Sequence, residues 1–315
     1  MKSMRAVGVL LVLPMLFLNC SDSDNPTTSR PTATEISGSL SGVLPRSNSP
    51  YLVTGTVTVQ PNTKLEIAAG VRLMFADSTM LIVKGELQAV GSADRVIEFE
   101  AAENNWFGVK FIDTDAPSQL SFCTLTDVLF DIPDSLRNSA IEVLNAALTM
   151  QNCIIRDNFT LLGGGLFASR SQVTVSNNIF RDNRSENFGA GILLVESEVL
   201  VVNNTIFRNE CINFGGGLVV GDPVSSDIQN NIFYQNTATG GDPRIALFSG
   251  DSSNFTPQYN FLPLGNMDPL FFSSDNLHLA PTSPAIDKGN PDAAFNDVDL
   301  SRNDQGAYGG PLGNW

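Results

Sequence analysis

Asn177-Asn178-Ile179-Phe180-Arg181-Asp182-Asn183, followed by Phe188-Gly189-Ala190-Gly191-Ile192-Leu193-Leu194, is the stretch on which the fold turns. Its pattern returns along the chain. Asn pairs or their equivalents open at Asn152, Asn177, Asn203 and Asn230, in steps of 25, 26 and 27 residues. A second asparagine follows each by six positions, at Asn158, Asn183, Asn209 and Asn236. Glycine clusters fall between them at Gly163-Gly164-Gly165, Gly189-Ala190-Gly191, Gly215-Gly216-Gly217 and Gly240-Gly241. Three markers repeating in phase define a repeat architecture. Within each unit, short segments such as Val173-Thr174-Val175 and Val199-Leu200-Val201 alternate with period two, and none offers ten residues of helical spacing. Short strands and tight turns at this period predict an all-β parallel β-helix, one winding per repeat.

Weaker markers extend the pattern in both directions. Gly108-Val109-Lys110-Phe111 and Ala140-Ile141-Glu142-Val143 match the strand after the glycines, and Gly55 to Gly85 reads as the first coils. About eight coils fit between Tyr51 and Leu262, a rod roughly 40 Å long at ~4.8 Å per rung. Stacked asparagines can pass amide hydrogens from rung to rung, so both rows, Asn152/177/203/230 and Asn158/183/209/236, are expected to be structural ladders. Aligning the strands after the glycines puts Val109/Phe111, Ile141/Val143, Leu166/Ala168, Ile192/Leu194, Leu218/Val220 and Ile245/Leu247 inward. Lys110, Glu142, Phe167, Leu193, Val219 and Ala246 then point outward. Four of these are apolar, so Phe167, Leu193, Val219 and Ala246 are either a binding face or lie under the C-terminal segment or a loop.

The N-terminus reads differently. Lys2 and Arg5 precede an uncharged run, Ala6 to Leu18, that is too short to span a bilayer and suits an export signal over residues 1–20. Residues 21–50, rich in Ser, Thr, Pro and Asp, read as a flexible tether, 51–262 as the β-helix and 263–315 as a C-terminal capping segment. The chain carries 33 acidic against 18 basic residues, a net charge of −15, which argues against nucleic acid as a partner. A single histidine removes multi-histidine metal sites.

Phe17-Leu18-Asn19-Cys20-Ser21 resembles a bacterial lipoprotein signal, which implies acylation of Cys20, a membrane partner through that lipid, and an outer-membrane or cell-surface location. Thr56-Val57-Thr58-Val59 to Phe111, with Trp106-Phe107-Gly108, resembles the opening coils of right-handed parallel β-helix surface proteins. Gly164-Gly165-Leu166 and Gly216-Gly217-Leu218, with Phe180-Arg181-Asp182-Asn183 and Phe233-Tyr234-Gln235-Asn236, resemble the repeats of polymorphic outer membrane proteins. Ser283-Pro284-Ala285-Ile286-Asp287 and Asp304-Gln305-Gly306-Ala307-Tyr308 resemble the end of choice-of-anchor β-helix proteins. These likenesses imply a right-handed single-stranded helix and a surface role.

Polysaccharide lyases and hydrolases of this fold place carboxylates and basic groups on the outward row, where this chain turns apolar. The expectation is therefore a non-catalytic protein that binds a glycan or a protein. The alternative is a polysaccharide lyase or hydrolase with its groove in Glu103–Asp134. Glu196, Glu198, Asp222 and Asp251 are read as turn residues or the lining of a shallow groove, and His278 as structural. No cofactor is assigned. Asp297, Asp299, Asp304 and Arg302 read as an Arg–Asp cap, with Ca²⁺ chelation as the other option. Cys123, Cys153 and Cys211 remain, with Cys123 and Cys153 on successive coils as thiols or a disulfide.

Overall fold

Each repeat supplies four short strands, because its apolar alternation is interrupted by a corner every four to six residues. The computed structural model describes residues 33–129 and 139–315, and residues 33–315 form one unit with its own continuous core. Equivalent strands stack in parallel register into four columns. The first holds Val109–Ile112, Ile141–Leu144, Leu166–Ser169, Ile192–Val195, Leu218–Gly221 and Ile245–Ser249. The second runs from Gly42–Leu44 and Lys64–Ile67 through Glu86–Val90, Ser118–Ser121, Ala147–Gln151, Gln172–Ser176, Glu198–Val202 and Ser225–Gln229 to Phe255–Gln258. The third includes Ile154–Arg156, Ile179–Arg181, Thr205–Phe207 and Ile232–Tyr234. The fourth contains Phe159–Leu162, Arg184–Phe188, Glu210–Phe214 and Thr237–Gly240. The result is a solenoid of about eight turns, and among the described residues no helix is long enough to cross a bilayer.

The inward positions of the first column, from Val109 to Val220, are buried, together with Val173, Val175, Phe180, Ile206 and Phe233 from the other columns. Each such side chain contributes about 1.5–3 kcal/mol on burial. At the last rung Ile245 and Leu247 are only partly buried. The three described thiols are free and buried: burial and the neighbouring Cys153 push the Cys123 thiol well above its ordinary pKa, and Cys211 faces Ser185 at 3.4 Å.

A two-residue rule governs the corners. The first residue adopts the left-handed conformation, and the second turns its polar side chain inward to bond the next rung. Asp157, Asp182 and Arg208 have φ of 57°, 55° and 53°, and are followed by Asn158, Asn183 and Asn209. There Asn158 Nδ2 donates to Asn183 Oδ1 at 2.9 Å, Asn183 to Asn209 at 3.0 Å and Asn209 to Asn236 at 2.9 Å. Each oxygen also accepts a backbone N–H, as Asn209 Oδ1 does from Asn183 at 3.0 Å. Between the second and third columns the rule moves the ladder by one residue from its expected place. Asn152, Asn177, Asn203 and Asn230 hold the left-handed position, with φ of 54–60°. The continuous ladder is Asn178 to Asn204 to Asn231 to Asn260, with Oδ1 acceptors at 2.9–3.1 Å. Asn152, Asn177, Asn203 and Asn230 therefore do not form that ladder; their amides turn outward, because a left-handed residue reverses the direction of its side chain relative to its successor.

The tether is shorter than expected. Thr34–Ser39 pairs with Tyr51–Val59, and Gly42–Leu44 pairs with Lys64–Ile67, so residues 34–50 make a first rung rather than part of a 21–50 linker. Polar side chains hid these strands, since an end rung needs apolar residues on one side only. Cys20, the 1–20 signal and tether residues 21–32 lie outside the described residues.

Asn209→Ala is expected to orphan the N–H and amide of Asn183 and destabilise the body by on the order of 3 kcal/mol in urea unfolding. A change below 1 kcal/mol would show that the ladder contributes little.

Candidate functional site

The apolar outward row of the first column is covered. Phe167, Leu193, Val219 and Ala246 are 7%, 5%, 0% and 7% exposed, packed under Leu162, Phe188 and Phe214 from the fourth column. The glycine corner makes this cover close. At Gly215, with φ of 71°, an added Cβ would meet Val219 Cγ2 at 2.1 Å, so no side chain fits between the returning chain and the row beneath. The expected binding face is thus interior, and what covers it is the fourth column rather than the C-terminal segment. At the N-terminal end of the same row, Lys110 Nζ meets Glu142 Oε2 at 3.2 Å and donates to the Ser139 carbonyl at 2.9 Å. Burial pulls the Lys110 ammonium down, and Glu142 opposes that shift.

The C-terminal segment takes an unexpected path. Instead of capping the end of the helix, residues 262–315 run back along the corner between the second and third columns as a strap. The displaced asparagines hold it. Asn230 Oδ1 accepts from the Asn290 N–H at 2.7 Å, and Asn203 Nδ2 donates to the Asp304 carbonyl at 2.9 Å. Asn177 Nδ2 donates to the Ala307 and Gly309 carbonyls at 2.9 and 2.7 Å, and Asn152 Nδ2 to that of Leu312 at 3.2 Å. Beneath the strap, Ile179, Phe207 and Ile232 of the third column are buried against Leu277, Ala307, Phe261 and Ala285. Sequence reasoning found these asparagines and missed their task. The signal was present, because in each pair only one residue can satisfy a ladder.

A cavity of about 420 Å³ remains between strap and column, lined by Thr205, Ile232, Leu277, His278, Asp304 and Tyr308 among others. His278 stacks on Tyr308 at 3.6 Å, its Nδ1 lies 2.7 Å from Asn276 Oδ1, and burial lowers its pKa. The expected Arg–Asp cap takes another form: Arg302 Nε and Nη2 donate to the Gly289 carbonyl at 2.8 and 2.6 Å instead of to an aspartate. Asp297 accepts from the N–H groups of Asp304 and Gly310, and Asp304 Oδ1 from that of Asp287 at 2.7 Å. These bonds give the carboxylates of Asp297 and Asp304 backbone donors. Burial, with repulsion from Asp297, Asp287 and Asp299, pushes the Asp304 carboxyl up to about 6, and burial also raises Asp297.

The second column is open to solvent. Register aligns an outward row Gln88, Gln119, Thr149, Thr174, Leu200, Asp227 and Thr256. A groove of about 270 Å³ runs along it, lined by Thr149, Gln172, Thr174, Glu198 and Leu200. Gln172 Nε2 approaches Glu198 at 3.4 Å and Gln229 donates to Asp227 at 3.0 Å, so the row carries amides, hydroxyls and partnered carboxylates. The other acids proposed for a groove do not join it. Glu196 pairs with Arg170 at 3.6 Å, Asp222 accepts from Ser249 at 2.9 Å, and Asp251 caps the Ser253 N–H at 2.8 Å. In Glu103–Asp134, of which 130–134 lie outside the described residues, Asp113 accepts from Asn145 at 2.8 Å and Asp115 from the Asn62 N–H.

Asn177→Gly keeps the left-handed backbone and removes two bonds to the strap. Hydrogen exchange of residues 300–315 is expected to speed up about tenfold or more while that of the inner rungs stays unchanged. The strap is also expected to respond to pH. An acid raised in the folded state favours folding in its protonated form, so the strap is tightest below pH 3.8, loosens as pH rises from 3.8 to about 6, and changes little above that. Strap exchange compared at pH 7.5 and pH 5 checks the sign, and Asp304→Asn should remove most of the difference.

Residues 108–260 match a family model described as a right handed beta helix region. Compared with curated proteins and with solved structures, the chain matches none. Taken with the four parallel columns, the match shows that the chain has the fold of a right-handed parallel β-helix.

Proposed function

We propose that the chain is an exported, lipid-anchored, non-catalytic β-helix protein of the cell envelope, held at the membrane through Cys20 and binding a glycan or protein partner along its second column. The uncovered row from Gln88 to Thr256 carries this reading: it is a long ladder of hydrogen-bonding side chains with apolar Leu200 among them. Glycans are recognised by such combinations of amides, hydroxyls and small apolar patches. Two further observations support binding over catalysis. The row on which enzymes of this fold carry their acids is interior here, and apolar from Phe167 to Ala246. The surface acids Glu98, Glu100, Glu196 and Glu210 each face an arginine of a neighbouring rung, Arg72, Arg170 or Arg184. Export and anchoring are supported by the N-terminal signal pattern and the Ser/Thr/Pro-rich residues after it.

A glycan array probed with residues 33–315 tests the binding surface. Bound species should lose at least tenfold in affinity in Thr174→Arg, which blocks the row without touching the core. Unsaturated or newly reducing products from acidic or neutral glycans, with or without Ca²⁺, would overturn the non-catalytic reading. Cys20→Ala should move the protein from the membrane to the soluble fraction, and unchanged fractionation would count against lipidation.

A further inference from the structure

We propose that the C-terminal end of the β-helix is a self-docking surface, at which a second copy of the chain closes the last rung end to end. The strap makes this surface available: by running along the side it leaves the end of the solenoid without a cap among the described residues. Thr237–Gly240, Ile245–Ser249 and Phe255–Gln258 pair only with the rung before them, so each presents a free edge among the described residues. Leu218 N–H donates to the Arg244 carbonyl at 2.9 Å, and alternation along a parallel ladder turns the N–H and C=O of Ile245 and Leu247 the other way, out of the end. Both ladders stop here as well. Asn236 and Asn260 accept from Asn209 and Asn231 and donate down to the Ile206 and Ile228 carbonyls, with no rung above to receive them.

The chemistry of this end fits a copy of itself. The end offers the groups that the chain uses rung on rung about eight times, namely strand edges, asparagine amides and a half-covered apolar floor of Ile245, Leu247 and Phe255, and a two-fold axis pairs these edges with those of a copy in the antiparallel sense. The rim adds exposed Phe248, Leu262, Leu264 and Met267, at 55%, 37%, 70% and 49%. Arg244 Nη1 donates to the Pro263 carbonyl at 3.2 Å, placing the 262–264 turn beside the last rung. Charge agrees: the whole chain is strongly acidic, yet residues 237–267 hold only Asp242, Arg244 and Asp251, and the first two pair with each other at 2.7 Å. Two such ends meet without the repulsion that any side-by-side contact brings. The opposite end is different, since Thr34–Ser39 is a polar, exposed strand carrying Glu35. The contact is therefore tail to tail and isologous, which closes at two copies and forms no fibre. Pro257 blunts the Phe255–Gln258 edge, so pairing falls mainly to Ile245–Ser249.

Sedimentation equilibrium and small-angle scattering on residues 33–315, from about 1 µM to about 500 µM, test this. The expected result is a reversible rise from one chain to two, with a particle about twice the length of the ~40 Å rod. Leu264→Glu, on an exposed turn, should weaken the association at least tenfold, and Leu247→Pro should abolish it by removing a free-edge N–H. A monomer at every concentration would overturn the proposal. So would a side-by-side dimer, or a dimer that neither substitution affects, and so would an end that pairs only with strands of other proteins.

Discussion

Stacking one backbone on another every 4.8 Å or so leaves no room for water at the corners, and this constraint shapes the whole molecule. Strands satisfy one another through the ladder, but each corner turns peptide groups away from it. The chain meets the difficulty with a left-handed residue followed by an inward amide or hydroxyl. Asparagine serves at two corners, and at a third Ser197 Oγ accepts from the Ser171 N–H at 3.1 Å. Where the amide is missing, at Cys153, the backbone N–H still finds Asn178 Oδ1 at 2.9 Å, so the ladder begins one rung later without an orphan donor.

The fold was legible because its markers recur in phase. Asn158, Asn183, Asn209 and Asn236 are single asparagines after Asp, Arg or Gln, so no ambiguity arose over which one faces inward. At the Asn–Asn pairs the residue type is degenerate and only backbone conformation distinguishes the two, so the sequence does not separate Asn177 from Asn178. The inward and outward assignment of the first column was equally legible, since period-two alternation follows from strand geometry alone. What covers the outward row was not. The fourth column reaches it through a glycine turn whose direction depends on φ, and no periodicity encodes that.

The strap was the least legible element. Residues 262–315 have scarcely any regular strand, so alternation says nothing about their path. Their contacts lie 60 to 160 residues away in sequence, as between Asn230 and Asn290 or Asn152 and Leu312. The aromatic residues Phe271, Tyr308 and Trp315 carried a hint, because large apolar side chains in an irregular, otherwise polar segment need something to lie against. The open second column, by contrast, consists of ordinary polar side chains, and only register turns them into a row.

A plain solenoid melts from its ends, since each coil knows only its neighbours. The returning segment alters that topology. It touches the rungs at Asn230, Asn203, Asn177 and Asn152 in turn and finally brings Trp315 edge-on to Phe122 at 6.3 Å. Losing the last coil thus means peeling away a brace that several earlier coils share. An object built as a spring behaves as a buckled belt: local fraying is converted into a cooperative event, and force applied along the axis is distributed over the middle coils instead of concentrating at the final one.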